Sequence, residues 1–386
     1  MATSLTAGPA ITTERSRFRW LRTGSEALAA MIEEIDLARH SIRLETYIYH
    51  AGQMGDRFLT TLVQAAQRGV KVQVMVDALG SFSLPDTFWT SLRNAGGECV
   101  WFNPLPLGRW SYRDHRKMLI CDDGVAFIGG FNIADEYDGD GVAKGWRDLG
   151  LEIRGGALVQ ALAESFDRFF ARAAHKHKRL QRFRKSADMT VSGANWTLLL
   201  SGPGRYHGAL KRTLKEDLQQ AKCVKIICAY FLPTWSFRKV LTRVCKRGGR
   251  VQLILAGKSD VVLSQLASRK LYRNFLRSGV EIYEYEPQIL HAKLFIIDGI
   301  TYAGSANLDV RSMGINYELL VRIDDRAMAA RAREIFEEDL KHCKRIDPTA
   351  WRKSRTLWSK LKENWAYFVL ARLDPFLARR QLRALR

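Results

Sequence analysis

From Ser25 to Arg39 the apolar residues Leu28, Met31, Ile32 and Ile35 recur at helical spacing. Ser41 to His50 follows as a strand. Phe58 to Gln67 predicts a second helix, ended by Gly69, and Val70 to Val76 a strand that closes at Asp77. A short helix near Thr87 to Asn94, a Gly96-Gly97 break and a strand over Glu98 to Phe102 come next. Another strand follows Asp114, and a helix runs from near Ala157 to Phe170. Then the order repeats. Leu210 to Gln220 reads as a helix, Val224 to Leu232 as a strand and Phe237 to Lys246 as a helix closed by Arg247-Gly248-Gly249. Val251 to Ala256 matches Val70 to Val76. Leu271 to Ser278 leads through Gly279 into a strand, Val280 to Glu286. The alternation argues α/β. The echo of Leu92-Arg93 with Gly97 in Leu276-Arg277 with Gly279 argues an internal duplication. Two equivalent halves would meet along one pseudo-two-fold seam. The expected division is an arm over 1–16, a first half with a basic linker over 17–185, a second half over 186–345 and a tail over 346–386.

The tail changes the pattern. Trp351, Trp358 and Trp365 are spaced by seven, with Leu357, Leu361 and Phe368 on the same side and Lys353, Arg355, Lys360 and Lys362 largely between them. Such a helix suits a bilayer interface; packing on the protein's own core fits the same spacing equally well. Pro375 is expected to end that helix, leaving Arg379, Arg380, Arg383 and Arg386 as a basic terminus. Composition sharpens this. The formal charge is +21, which favours polyanions such as anionic lipid or nucleic acid. No stretch reaches the roughly 18 apolar residues of a spanning helix, so membrane attachment is expected to be peripheral. The linker run Arg172 to Lys185 contains His175 and His177, read as solvated or lipid-facing rather than metal-binding, since no carboxylate or cysteine lies near them. The six cysteines show no paired metal spacing and fit a reducing cytoplasm, with Cys121 as a core residue.

The chemistry sits in one stretch written twice. His115, Lys117 and Asp122 are followed by Gly129-Gly130-Phe131-Asn132, and His291, Lys293 and Asp298 by Gly304-Ser305-Ala306-Asn307. On an extended chain each His shares a face with its Lys. Facing cradles of imidazole, ammonium and amide would surround one phosphodiester. These stretches resemble the paired HKD motifs of the phospholipase D superfamily. The segments Asp135-Glu136-Tyr137, Trp146-Arg147-Asp148 and Asn316-Tyr317-Glu318 resemble its cardiolipin synthase branch.

The resemblance implies two phospholipase D-like α/β/α halves with mixed central sheets packed together, the active site between them. It implies phosphatidyl transfer between two phosphatidylglycerol molecules, without metal or cofactor, on the cytoplasmic face of a bacterial membrane. A hydrolytic phospholipase D or a nuclease of the superfamily are the alternatives. One His would form a phosphohistidine and the other act as acid and base, with His115 taken as nucleophile and His291 as acid/base. Lys117, Lys293, Asn132 and Asn307 would bind phosphoryl oxygens, and the Ser305 hydroxyl would donate to phosphate. Asp122 and Asp298 belong to the catalytic motif, yet strand parity turns them away from their histidines. Asp148 is expected to orient His115 and Glu318 to orient His291, each downstream in its own copy. Glu45 and Tyr230 are candidates for lining the pocket. Asp114 is expected to be salt-bridged.

Overall fold

The structure, a computed structural model, describes residues 16–104, 112–174, 190–203 and 208–384. The arm up to residue 15 and the linker over 175–189, with its His175 and His177, lie outside the described residues. In the first half the strands are β1 Arg17–Leu21, β2 Ser41–Thr46, β3 Lys71–Asp77, β4 Glu98–Phe102, β5 Met118–Cys121, β6 Val125–Gly129 and β7 Gly150–Arg154. In the second they are β8 Thr190–Ser192, β9 Trp196–Ser201, β10 Cys223–Cys228, β11 Arg250–Ala256, β12 Glu281–Tyr285, β13 Lys293–Ile297, β14 Ile300–Gly304, β15 Glu318–Asp324 and β16 Cys343–Arg345.

The two sheets share one order. The first runs β1-β7-β6-β5-β2-β3-β4, and the second runs β9-β15-β14-β13-β10-β11-β12 with β8 and β16 added at its edges. In both, the helix-connected strands pair in parallel and the motif strand and its hairpin partner antiparallel. Both sheets are therefore mixed.

The motif strands β5 and β13 are buried along their whole length. They read as continuous apolar runs because both faces of each sheet are covered. One face meets the other half. Met118, Ile120 and Leu151 share a single core cluster with Leu294, Ile296 and Leu319. Helices Gly156–Ala174 and Arg326–Lys341 join that cluster through Phe166, Phe169, Ile335 and Phe336. The other face of each sheet is covered by its own helices, Gly24–Leu37 and Gln53–Gln67 in the first half, Trp235–Lys246 and Val262–Arg277 in the second. The halves thus fold around one shared core, which fixes the seam.

The tail departs from expectation. Trp351 lies on a separate short helix, Pro348–Ser354, and packs on Tyr272 with ring centroids 5.1 Å apart. Helix Leu357–Phe368 docks on Val262–Arg277 with Ala366 buried in the second half's core, and within the tail Arg355 pairs with Glu363. Its outward face carries Trp358, Leu361, Trp365 and Phe368, 56–64 % exposed. The seven-residue spacing is thus divided between packing and an open face. Pro375 does not end the helix. A π-helical turn, Val369–Leu373, precedes it, and the chain continues as Asp374–Ala384. Proline is accommodated in a first turn, where its missing N–H costs no helical bond. Among the described residues no helix is long and apolar enough to cross a membrane.

Candidate active site

The approach to each motif strand is extended and bridges to the other half. The His115 N–H donates to the Tyr317 carbonyl (3.0 Å), and the Tyr317 N–H donates to Arg113 (2.8 Å). On the opposite side the Arg147 carbonyl accepts from the N–H groups of His291 (2.8 Å) and Ala292 (3.0 Å). The Arg147 N–H donates to Ile289, and its guanidinium forks onto Asp339. Each motif therefore enters the seam beside the segment that carries the other half's acid.

That arrangement crosses the expected pairing. His115 Nδ1 lies 3.0 Å from Glu318 Oε2, and His291 Nδ1 lies 2.6 Å from Asp148 Oδ2. Sequence reasoning found both acids but assigned each to the histidine of its own copy. Linear order suggests that assignment; the bridging at the seam reverses it. A carboxylate on Nδ1 fixes the tautomer, with the lone pair on Nε2.

Other expectations need correction. Asp122 accepts from the backbone N–H groups of Arg39, His40 and Ser41, and Asp298 from those of Lys222 and Cys223. Both sit at positive φ in the turn after the motif strand. They tie that turn to the start of the neighbouring strand, at the end of the sheet away from the histidines, and do not belong with the catalytic set. Ser305 Oγ donates to Glu318 Oε2 (2.6 Å) and accepts from the Leu319 N–H (3.0 Å). It braces the acid, and its proton is not available to phosphate. Asn132 Oδ1 accepts from the Ile48 N–H (3.0 Å), and Asn307 Oδ1 from the Tyr230 N–H (3.3 Å). Asn132 Nδ2 also donates to the Tyr137 hydroxyl (2.6 Å). The asparagines hold the turn against the crossover strand in both halves. Glu45 is buried under Arg116, bonded at 2.7 Å, and belongs to the core. Asp114 lies 3.6 Å from the same Arg116, and burial, then Glu45, raises it well above the ordinary carboxylate range. Cys121 is buried, and burial pushes its thiol up.

The lysines reach back toward the site, each Nζ donating to the carbonyl of its own histidine. Lys293 Nζ also lies 3.2 Å from His291 Nε2, the ring nitrogen that can accept from it while Nδ1 faces Asp148. Burial, then Lys293, pushes Lys117 down to about 7; burial lowers Lys293 against the pull of Asp148. Burial pushes His115 down to about 4, with Glu318 opposing and Lys117 adding to the shift. His291 is lowered by burial and then by Lys293, against Asp148. Lys293 acts on both His115 and Lys117, so the two cradles share one field. Burial raises Glu318, but His115, Lys117 and the Ser305 hydroxyl outweigh it and hold the carboxyl below its usual range.

Aromatic rings wall the histidines. Tyr47 stands 5.0 Å from His115, while Tyr137, Trp146 and Tyr230 stand 5.4, 5.8 and 6.2 Å from His291. The Tyr230 hydroxyl donates to Asp260 (2.6 Å). Tyr230 is one of the expected pocket residues; Tyr47, inside the stretch Ser41 to His50 read as a strand, is not among them. Two imidazoles and two lysine amines are thus buried together at the seam, each imidazole backed by a carboxylate.

Comparison with known proteins agrees. Residues 31–170 and 214–340 match the family described as cardiolipin synthase, PLD-like domain. The chain is 30 % identical to cardiolipin synthase 1 of Bacillus cereus, over 94 % of this chain and 73 % of the relative. It is 31 % identical to the major cardiolipin synthase of Bacillus subtilis, over 95 % and 77 %. Among solved structures, phosphatidylserine synthase of Haemophilus influenzae superposes with a TM-score of 0.75 at 15 % identity, covering 94 % of both chains. Polyphosphate kinase of Porphyromonas gingivalis gives 0.58 at 16 % identity, over 90 % of this chain and 52 % of that one. The matched family, the curated relatives and the doubled sheet agree: this chain is a member of the cardiolipin synthase branch of the phospholipase D superfamily.

Proposed function

We propose that the protein transfers a phosphatidyl group from one phosphatidylglycerol to another, forming cardiolipin and releasing glycerol. The crossed carboxylate–histidine pairs carry this reading. They present two Nε2 atoms of fixed tautomer to one seam. His115, held neutral by burial, attacks phosphorus through Nε2. The bond to the glycerol oxygen breaks, and His291 donates the proton that oxygen needs to leave. The phosphorus is then bonded to His115. The hydroxyl of a second phosphatidylglycerol enters, His291 takes its proton, and the phosphorus–nitrogen bond breaks as the new ester forms. Lys117 and Lys293 hold the non-bridging oxygens, with the free N–H groups of Asn132 and Asn307 beside them. Phosphoryl anion in the seam raises both imidazoles, so His291 gains its proton when substrate is bound.

The outward Trp358, Leu361, Trp365 and Phe368, with Lys360 and Lys362 beside them, support a peripheral seat on an anionic bilayer. The test is incubation of the purified full chain with phosphatidylglycerol vesicles. Cardiolipin and glycerol in equal amounts are expected; phosphatidic acid in place of cardiolipin overturns the transferase in favour of a hydrolase.

A further inference from the structure

Tyr230 has two kinds of neighbour. One is His291. The other is a cavity of about 220 Å³, walled by Leu232, Val261, Ser264, Val310 and Leu370, with the buried Asp309, whose carboxyl burial raises to about 6, also on its lining. Phosphoryl transfer as described uses none of it. The walls come from four separate places: the chain after β10, the start of helix Val262–Arg277, the loop after the second motif, and the π-helical turn of the tail. Arg311 and Asp374 stand at the rim, joined at 2.7 Å. Their bond ties the tail to the motif loop, so the cavity is complete only with the tail docked. A mostly apolar space beside a phosphodiester site suits an apolar extension of that phosphodiester.

The surroundings say where that extension comes from. Leu370 is half-buried on the side of the tail that packs against the second half's core, while Phe368, Leu373 and Phe376 face outward. Val261 and Val262, at the start of the neighbouring helix, are also exposed. Apolar surface therefore reaches from the exposed Val261 and Val262 into the cavity and to Tyr230, whose ring stands 6.2 Å from His291.

We propose that the cavity receives part of one acyl chain of the phospholipid whose phosphate lies between the histidines. The rest of that chain stays in the bilayer against the tail. This rests on the phosphatidyl-transfer reading and deepens it. A phosphate lifted from the interface into a buried seam would drag its chains into water; the slot keeps one chain covered and fixes which way the lipid faces His291.

The experiment uses the full chain on vesicles of phosphatidylglycerol bearing a diazirine in mid-chain. After irradiation, labelled residues are mapped by mass spectrometry and cardiolipin is measured in parallel. Label on Leu232, Val310 or Leu370 is expected. Ser264→Leu, which fills the slot, is expected to lower that label and to reduce at least tenfold the ratio of kcat/KM on long-chain to short-chain phosphatidylglycerol. Cardiolipin formed while label is confined to Trp358, Trp365 and Phe368 overturns the slot alone. So does an unchanged chain-length ratio in Ser264→Leu. Label in the cavity with no cardiolipin keeps the slot and overturns the transferase.

Discussion

The two halves place equivalent strands around equivalent histidines, yet the surroundings of those histidines differ. His115 faces Glu318, whose carboxylate also takes the Ser305 hydroxyl. His291 faces Asp148, which packs on Gly130. A Cβ at Gly130 would lie 2.1 Å from Asp148 Oδ1. The shorter acid therefore reaches its histidine only across a residue with no side chain. The longer acid has room to bend over a serine, and uses its hydroxyl. The Gly130/Ser305 difference and the Asp148/Glu318 difference are thus one compensated change. The carboxylate at His291 is also the nearer, at 2.6 against 3.0 Å. Asp148 opposes the lowering of His291 by burial and Lys293, while His115, pushed down to about 4, is held neutral. In the proposed reaction, a pseudo-symmetric fold carries a division of chemical labour.

The largest effects should come from breaking that division at its centre. His115→Asn and His291→Asn are both expected to lower turnover by about 10⁴-fold or more, since each takes part in both half-reactions. They should differ in what they leave behind. With a good leaving group in place of glycerol, His291→Asn still needs no proton for the first step and should accumulate phosphohistidine. His115→Asn should give none. Acid-labile, base-stable phosphate retained on the protein after rapid denaturation provides the readout. Covalent phosphate in His115→Asn would reverse the assignment.

A smaller effect isolates the compensated pair. Gly130→Ser forces Asp148 away from His291, and about a 10²-fold loss of turnover is expected from general acid–base catalysis so disabled. Ser305→Gly removes one hydrogen bond to Glu318 and opens no clash, so a loss of about tenfold is expected, at the low end of the roughly 1.5–3 kcal/mol of a bond to a charged group because His115 stays in place against the carboxylate. Equal losses in the two variants would show that the halves tolerate exchange at this position, contrary to the geometry.

These contrasts mark what was legible in the sequence. The duplication, the mixed α/β architecture and the residues gathered at the seam follow from spacing and repetition, which local chemistry writes directly into the chain. The crossing of Asp148 to His291 and Glu318 to His115 does not, because it arises from how the two sheets face each other across their shared core. Parity correctly turned Asp122 and Asp298 away from the histidines, against the weight of the motif. Ser305 misled because a hydroxyl beside a phosphate site reads as a donor to phosphate, while the nearer acceptor, Glu318, is supplied by a strand pairing of long range. Tyr47 lies inside the stretch read as a strand, but alternation alone does not say which of its residues meets the other half's histidine set. The tail's spacing was informative about its apolar face but silent on the π-helical turn, which places Leu370 against the second half.

The smallest effect is on stability, and its sign is fixed by the burial of His115. Its imidazole titrates near 4 in the folded chain and near 6.5 when unfolded. Between those values the unfolded chain holds the proton and the folded chain does not, so stability falls as pH drops from about 6.5 toward 4. The full contribution is present above that window, and its loss is on the order of 3 kcal/mol. His291 is shifted in the same direction, with Asp148 close enough to oppose the shift. Urea unfolding of the wild type, His115→Gln and His291→Gln at pH 7.5 and pH 5 separates the two contributions. The difference in stability between the two pH values should shrink most in His115→Gln. If His291→Gln flattened it more, the drier and more neutral imidazole would be the one beside Asp148, and the labour of the two halves would have to be exchanged.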